Sequence, residues 1–251
     1  MGVFDDLVDE AERAPIGAWD FSWLEGRAIE ERPTWRYFDR VTERAADAST
    51  LLEVEAGVGS MIARLPTLPA VSVATEGFPP SVAIATPRLR SRGVHLVVTS
   101  QARPELPFAD GCFDLVISRH PVEVWWSEIA RVLRKGGTYF AQHVGPHSLR
   151  SLSEFLMGPL PDASTRHPDV EQRAAESTGL VVRRMDLEHP RTAFYDIGAV
   201  VYFLRLVPWI VPGFTVAGYR DALRRLHQAI ERDGTFETTA SRTLVEATKP
   251  A

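Results

Sequence analysis

Between residues 50 and 145, short apolar runs alternate with helix-like stretches, and that alternation restricts the chain to very few folds. The runs are Leu51–Glu55, Val71–Thr75, Val94–Thr99, Phe113–Ser118 and Thr138–Val144. Gly59–Leu65, Ser81–Ser91 and Val124–Leu133 read as helices between them, the first ended before Pro66. Strands separated by helices are joined as parallel βαβ units with right-handed crossovers. The unbroken apolar triplet Leu115-Val116-Ile117 suits a strand buried on both faces. Gly136-Gly137 is expected to end the third helix, because glycine reaches the left-handed backbone of a helix cap.

The flanks are less regular. Residues 1–33 are rich in charge, with Trp19, Phe21 and Trp23 among them, and Trp35, Phe38, Val41 and Ala45 then recur at helical spacing. Beyond residue 145, helices are expected at 148–157, 169–178, 194–207 and 218–233, and strands at Leu180–Leu187 and Ser241–Ala247. Segment 159–168 holds three prolines and is expected to be a surface loop.

Composition excludes several classes of function. A net charge of −5 argues against a general affinity for nucleic-acid backbones. The single cysteine, Cys112, excludes an internal disulfide and a multi-cysteine zinc site, and it fits a reducing, cytoplasmic setting. The acidic start, Met1 to Arg13, lacks the apolar core of a signal peptide. The most apolar run, Ile197–Val211, is interrupted by Arg205 and Pro208 and is shorter than the roughly 20 residues of a membrane span, so no membrane is expected.

The stretch Leu51-Leu52-Glu53-Val54-Glu55-Ala56-Gly57-Val58-Gly59-Ser60 reads as a buried strand running into a glycine-bearing turn. Many α/β proteins hold a nucleotide-like cofactor at such a turn. Three further stretches follow in order: Val73-Ala74-Thr75-Glu76-Gly77-Phe78-Pro79-Pro80, then Leu106-Pro107-Phe108-Ala109-Asp110-Gly111-Cys112-Phe113-Asp114-Leu115-Val116, then Glu128-Ile129-Ala130-Arg131-Val132-Leu133-Arg134-Lys135-Gly136-Gly137. Together these motifs resemble the class I methyltransferases that use S-adenosylmethionine (SAM), most strongly over residues 35–145. The resemblance implies an α/β, Rossmann-like, seven-stranded, mostly parallel sheet flanked by helices. An N-terminal lid segment and inserted and C-terminal helices would complete it. It implies a single domain over 1–251, with a lid and helix over 1–48, a cofactor-binding core over 49–145, and substrate-side helices and final strands over 146–251.

The same resemblance places SAM contacts at Glu53, Gly57, Gly59 and Glu76, with Glu55 and Ser100 beside them. Glu76 ends the second strand, where a carboxylate can accept hydrogen bonds from both ribose hydroxyls. Phe78, Leu106 or Phe108 would pack near the adenine. Three positions depart from the pattern: Glu55 replaces a glycine, Ser60 replaces an acidic residue, and Ser100 replaces an aspartate that reads the adenine amino group. Serine still accepts a hydrogen bond. Glu55 brings bulk and negative charge near the methionyl end, attracting the ammonium and sulfonium but repelling the carboxylate. A buried unpaired carboxylate is costly, so Glu55 should point away, pair with a cation or be protonated. SAM binding is therefore expected to be weakened or lost.

Methyl transfer asks mainly for positioning, because the sulfonium already makes the methyl electrophilic. General-base candidates are His120, His143 and His147, of which the first two lie at the ends of the fourth and fifth strands. The bland reading of each is a rim residue bonded to backbone. A zinc site is not expected from this trio, since His143 and His147 straddle a strand end and Gly145-Pro146. Arg119 would bind a substrate carboxylate or pair with Glu123. Tyr195, Tyr202, Phe203 and Trp209 would line an apolar substrate pocket or pack as core. Trp125 and Trp126 read as packing anchors.

The expectation is a SAM-dependent methyltransferase acting on a small-molecule acceptor, with no membrane partner and with nucleic acid disfavoured. A homodimer is compatible with the sequence, which leaves the oligomeric state open. The alternative is a degenerate methyltransferase-fold protein that binds a ligand or partner, or performs chemistry other than methyl transfer.

Overall fold

The computed structural model describes residues 2–100, 105–162 and 166–251. In chain order the elements are α1 (Val3–Arg13), β1 (Ala28–Glu30), α2 (Tyr37–Asp47), β2 (Thr50–Val54), α3 (Ser60–Ala63), β3 (Val71–Glu76), α4 (Pro79–Arg90), β4 (His95–Val98), β5 (Phe113–Arg119) and α5 (Trp126–Val132). They continue with β6 (Leu133–Val144), α6 (Arg150–Met157), α7 (Pro168–Glu176), β7 (Val181–Glu188), β8 (Arg191–Phe194), α8 (Ile197–Leu206), α9 (Val216–Asp233), β9 (Phe236–Thr239) and β10 (Arg242–Thr248). The chain divides into two compact units. One comprises Met1–Arg32, His147–Ser164 and His189–Ser241, and the other Pro33–Pro146, Thr165–Glu188 and Arg242–Ala251.

The second unit is built on a seven-stranded sheet in the order β4-β3-β2-β5-β6-β10-β7. The pairs β4–β3, β3–β2, β2–β5 and β5–β6 are parallel, and β10 runs antiparallel to both of its neighbours. This is the Rossmann-like, mostly parallel sheet expected from the strand–helix alternation. The apolar runs are continuous because both faces are covered. Leu52, Val116, Tyr139 and Val245 belong to one core cluster, and Leu51, Leu115, Ile117, Phe140 and Leu244 to the other. Successive residues of one strand thus alternate between two cores, as the two-residue period of a strand requires.

Gly136-Gly137 differs from the expectation. The helix stops at Val132, and β6 begins at Leu133, so both glycines lie within the strand. Pairing with β5 jumps from Phe113↔Leu133 to Leu115↔Thr138, which leaves residues 134–137 as a bulge. A Cβ at Gly137 would stand 2.9 Å from the Arg134 carbonyl oxygen, 3.0 Å from that of Phe113 and 3.1 Å from that of Asp114. Close backbone approach, rather than helix capping, explains that glycine.

The first unit has its own three-stranded antiparallel sheet, β1-β8-β9. Its core joins Phe4 and Val8 of α1, Leu152 and Leu156 of α6, Val200 and Val201 of α8, and Leu223 and Leu226 of α9. The side chain of Asp196 caps α8 through the Ala199 N–H at 2.9 Å, and Thr215 caps α9 through the Gly218 N–H at 3.1 Å. The expected helix 194–207 therefore starts three residues late, because Arg191–Phe194 is drawn into the small sheet. Trp23 stacks on Tyr202 at 4.7 Å, Trp19 meets Trp209 at 5.2 Å, and Phe21 meets Phe203 at 6.4 Å, all within this unit. Of the proline-rich loop expected over 159–168, residues 163–165 lie outside the described residues. Among the described residues, no helix is long and apolar enough to cross a membrane.

Candidate functional site

Chain order along the large sheet reverses between β2 and β5. From β2 the chain moves outward through β3 to β4, and β5 and β6 then add on the other side. Ligands of open α/β sheets bind beyond the strand carboxyl ends at such a switch point. All six residues proposed from sequence as cofactor contacts, Ser100 after β4 included, lie in this unit, on β2, in the loop after it, and at the ends of β3 and β4.

Glu76 ends β3 and is only 6% exposed. Its Oε2 accepts from the Gly57 N–H at 2.6 Å, and its Oε1 accepts from the Gly77 and Phe78 N–H groups at 2.8 and 2.7 Å. A carboxylate offers about four lone-pair positions, so Oε2 keeps one for a further donor. Gly57 and Gly59 both have positive φ, +57° and +68°. They differ in surroundings. A Cβ at Gly57 would meet nothing within 4 Å, whereas one at Gly59 would stand 2.9 Å from the Leu89 side chain. Gly59 is therefore also required by packing against α4, and Gly57 leaves open space above the loop.

Glu53, on β2, is buried, and its Oε2 accepts from the Ile62 N–H at 3.3 Å. Burial pushes its pKa up to about 8, against the Ile62 N–H and the Arg119 charge and with the help of Glu76. Glu53 is thus largely protonated at neutral pH.

Glu55 retains the left-handed backbone, φ +54°, at the position where the glycine of such loops is expected. Its side chain reaches toward the loop after β5, where Oε2 accepts from the Val122 N–H at 2.6 Å. Burial raises its pKa. The Val122 N–H opposes that, Glu76 adds to it, Arg166 opposes it and Glu123 adds to it. Of the three outcomes expected for this carboxylate, the shift is toward protonation, and a backbone N–H, which was not among them, holds Oε2.

His120 follows β5 and also has a left-handed backbone, φ +58°. Its N–H donates to the Gln142 carbonyl at 2.7 Å, and its Nε2 lies 2.9 Å from the Gln142 side-chain nitrogen. The Trp35 indole N–H donates to the Gln142 side-chain oxygen at 2.8 Å, which orients the amide and makes His120 Nε2 the acceptor. Burial, followed by the charges of Arg242, Arg119 and His143, holds the His120 pKa well below its ordinary value. The ring is neutral, with its proton on Nδ1.

His143 lies inside the sheet and is fully buried. Its Nδ1 is 2.6 Å from Glu171 Oε2, and its Nε2 is 2.9 Å from the Tyr139 hydroxyl. Arg166 Nη1 donates to the other Glu171 oxygen at 3.1 Å. Burial opposes ionisation of Glu171, but hydrogen bonds and charges from His143 and Arg166 outweigh it and hold the pKa below the ordinary value. His147 belongs to the other unit, where Asp162 stands 3.2 Å from Nε2 and Arg150 3.0 Å from Nδ1. The three histidines therefore occupy three different environments. Among the described residues, no group of three or more His, Cys, Asp or Glu side chains is placed to hold a metal ion.

The aromatic candidates also separate. Phe78 is 44% exposed at the edge, beside Glu76. Leu106 is buried, and Phe108 packs edge-on against Phe113 at 5.1 Å. Ser100 is exposed. Sequence reading missed Val122, Gln142, Trp35, Arg166 and Glu171. Val122 acts through its backbone N–H, which leaves no trace in residue type, and the others become neighbours only through the fold.

Residues 52–141 match the family model of the methyltransferase domain. The matched segment contains Glu53, Glu55, Gly57, Gly59, Glu76, Ser100 and His120. That match makes the segment methyltransferase-like in sequence. The fold of the whole chain agrees with that assignment. YcgJ from Bacillus subtilis superposes with a TM-score of 0.59 at 15% identity, covering 86% of this chain and 99% of that one. A putative methyltransferase from Bacillus halodurans gives a TM-score of 0.59 at 16% identity, covering 85% and 99%. The [4+2]-cyclase SpnF gives 0.54 at 19% identity, covering 98% and 92%. No curated protein sequence matches the chain. The segment that matches the methyltransferase model thus lies in a fold shared with these structures, with Glu55 in the loop after β2.

Proposed function

We propose that the protein is a SAM-dependent methyltransferase acting on a small-molecule acceptor, with its cofactor affinity weakened by Glu55. The observation that carries this reading is Glu76. It ends β3 within the methyltransferase domain, and its Oε2 reaches the glycine loop while keeping a lone pair for a ribose hydroxyl. The residues fit the nucleoside end of the cofactor, since Gly57 leaves the loop open and Phe78 offers an exposed ring beside Glu76. SAM would supply an electrophilic methyl, and the chain's task is to hold it and the acceptor in line. His120 is the histidine best placed at the strand ends for an acceptor. As a neutral ring with Nε2 already accepting from Gln142, it presents an N–H rather than a free base. His143 and His147 are read as positioning or structural groups.

A second reading, a methyltransferase fold used for other chemistry or for ligand binding alone, is favoured by the Glu55 contact with Val122. The structural likeness to a [4+2]-cyclase is compatible with it, since one fold hosts many reactions. Thermal shift with SAM and with its demethylated product separates the readings, because a ligand held only by the native state raises its stability. The methyltransferase reading expects a shift that is small in the wild type and larger in Glu55→Gly. No shift in either protein overturns it.

A further inference from the structure

The geometry along the sheet edge points to a cationic ligand, and we infer that this site selects an adenosine sulfonium or amine whose side chain carries no carboxylate. This inference rests on the nucleoside reading of the site and concerns what hangs from the ribose 5′ position.

The sheet order supplies the direction. Moving along the edge from β4 to β5, one meets Ser100 after β4, Glu76 at the end of β3, Glu55 at the end of β2, and Val122 beyond β5. A nucleoside whose ribose sits on Glu76 and whose base lies toward β4 must send its 5′ substituent across Glu55. There it meets the Glu55 carboxyl, anchored at 2.6 Å to the Val122 N–H; its ionised form, which burial disfavours in the empty site, is favoured by a cation placed against it. Two independent consequences follow. The Val122 N–H, which could receive a ligand carboxylate, is taken by the protein's own. The surrounding charge also has the wrong sign for a second carboxylate. Glu55, Glu76 and Glu123 interact there, and Arg166, a cation that also acts on Glu55, donates to Glu171 at 3.1 Å, to the Pro121 carbonyl at 3.0 Å and to the Val122 carbonyl.

Like charges brought together in a partly desolvated site repel, and opposite charges attract. The ammonium and sulfonium of a decarboxylated chain both meet Glu55 favourably. Among the described residues, no hydrogen bond is made by its Oε1, which is thus available to accept from an ammonium. In SAM the same attraction is offset by the ligand's own carboxylate. Glu55 therefore acts on specificity: it excludes one part of the ordinary cofactor while leaving the nucleoside contacts in place.

Calorimetric titration with three probes tests this: methylthioadenosine, which lacks the charged chain end, SAM, and decarboxylated SAM. Wild type, Glu55→Gln and Glu55→Gly are compared, each first checked for folding by its unliganded melting temperature. The expected result is binding of methylthioadenosine by all three proteins. In the wild type, decarboxylated SAM should bind about tenfold or more tightly than SAM, and the preference should collapse in both variants. Methylthioadenosine binding with SAM equal to or tighter than decarboxylated SAM in the wild type overturns the inference and leaves the nucleoside reading intact. A preference for decarboxylated SAM that survives Glu55→Gln and Glu55→Gly overturns the role of Glu55. Failure of all three probes to bind any of the proteins overturns both the inference and the nucleoside reading.

Discussion

Glu55 and His120 both hold the left-handed backbone, with φ +54° and +58°, at the carboxyl ends of the hydrogen-bonded strands β2 and β5. Non-glycine residues rarely adopt this conformation, and when they do the surrounding structure over-determines it. Here it is imposed from both sides. Glu55 is tied to the Val122 N–H and His120 to the Gln142 carbonyl. Glu55 thus holds a left-handed backbone at the position where the resemblance to methyltransferases implies a glycine.

Glu55→Gly should leave the unliganded stability nearly unchanged. Relief of the left-handed strain is worth about 1 kcal/mol, and loss of one hydrogen bond costs a similar amount. Urea denaturation should place the variant within about 1 kcal/mol of wild type, whereas a loss above about 3 kcal/mol would mean that the side chain is a core support.

Glu53 makes stability depend on pH. Its folded pKa, about 8, lies above the ordinary 4.5, so the folded state binds the proton more tightly than the unfolded state. Its stabilising effect is complete below about 4.5 and is lost as pH rises through about 8, by at most ~5 kcal/mol. Glu53→Gln should flatten this loss between pH 5 and 8 in thermal unfolding. An unaltered slope would show that Glu53 is ionised in the folded protein.

Glu171 has the opposite sign. His143 and Arg166 hold it ionised, so its contribution is present above the ordinary carboxylate value and disappears as pH falls through the lowered one. Glu171→Ala leaves two buried or half-buried partners without their acid and should cost about 3–5 kcal/mol. Tyr139→Phe, which removes one hydrogen bond to His143, should cost about 1 kcal/mol. Equal effects of the two substitutions in chemical denaturation would contradict this ranking.

His120 should not titrate in the neutral range. Its burial and the nearby cations keep the ring neutral, so its NMR resonances should be constant from about pH 6 to pH 8. A midpoint near the free-histidine value would show that the ring is open to solvent and able to act as a base.

Two glycines in the domain should respond differently to alanine. At Gly137 the new methyl would stand 2.9–3.1 Å from three backbone carbonyl oxygens, which cannot move aside cheaply. Gly137→Ala should therefore cost well over 2 kcal/mol. At Gly57 the space is open and only the positive φ resists, so Gly57→Ala should cost about 1 kcal/mol. Comparable denaturation midpoints would refute the distinction.

The strand runs Leu51–Glu55 and Leu115-Val116-Ile117 were legible because burial on both faces writes a continuous apolar stretch into the chain. Glu76 was legible because an acid at a strand end follows the glycine loop at a fixed distance. The small sheet was not, since Ala28–Glu30, Arg191–Phe194 and Phe236–Thr239 are three or four residues long, and they pair across more than 160 residues of chain between β1 and β8 and across more than 40 between β8 and β9. The bulge at Gly136-Gly137 was read as a helix end because a positive-φ glycine serves both purposes, and only the pairing of β5 with β6 distinguishes them.

The sequence by itself determined the layered α/β sheet, the switch-point edge and the identity of the carboxylates placed there, because hydrophobic period and strand–helix order are local properties. What those carboxylates face was decided by the tertiary structure alone. Val122, Gln142, Arg166 and Glu171 reach Glu55, His120 and His143 through contacts that span 22 to more than 100 residues of chain. The charge state and the hydrogen-bond partners at this edge depend on burial and neighbours, and neither is encoded in the residue type.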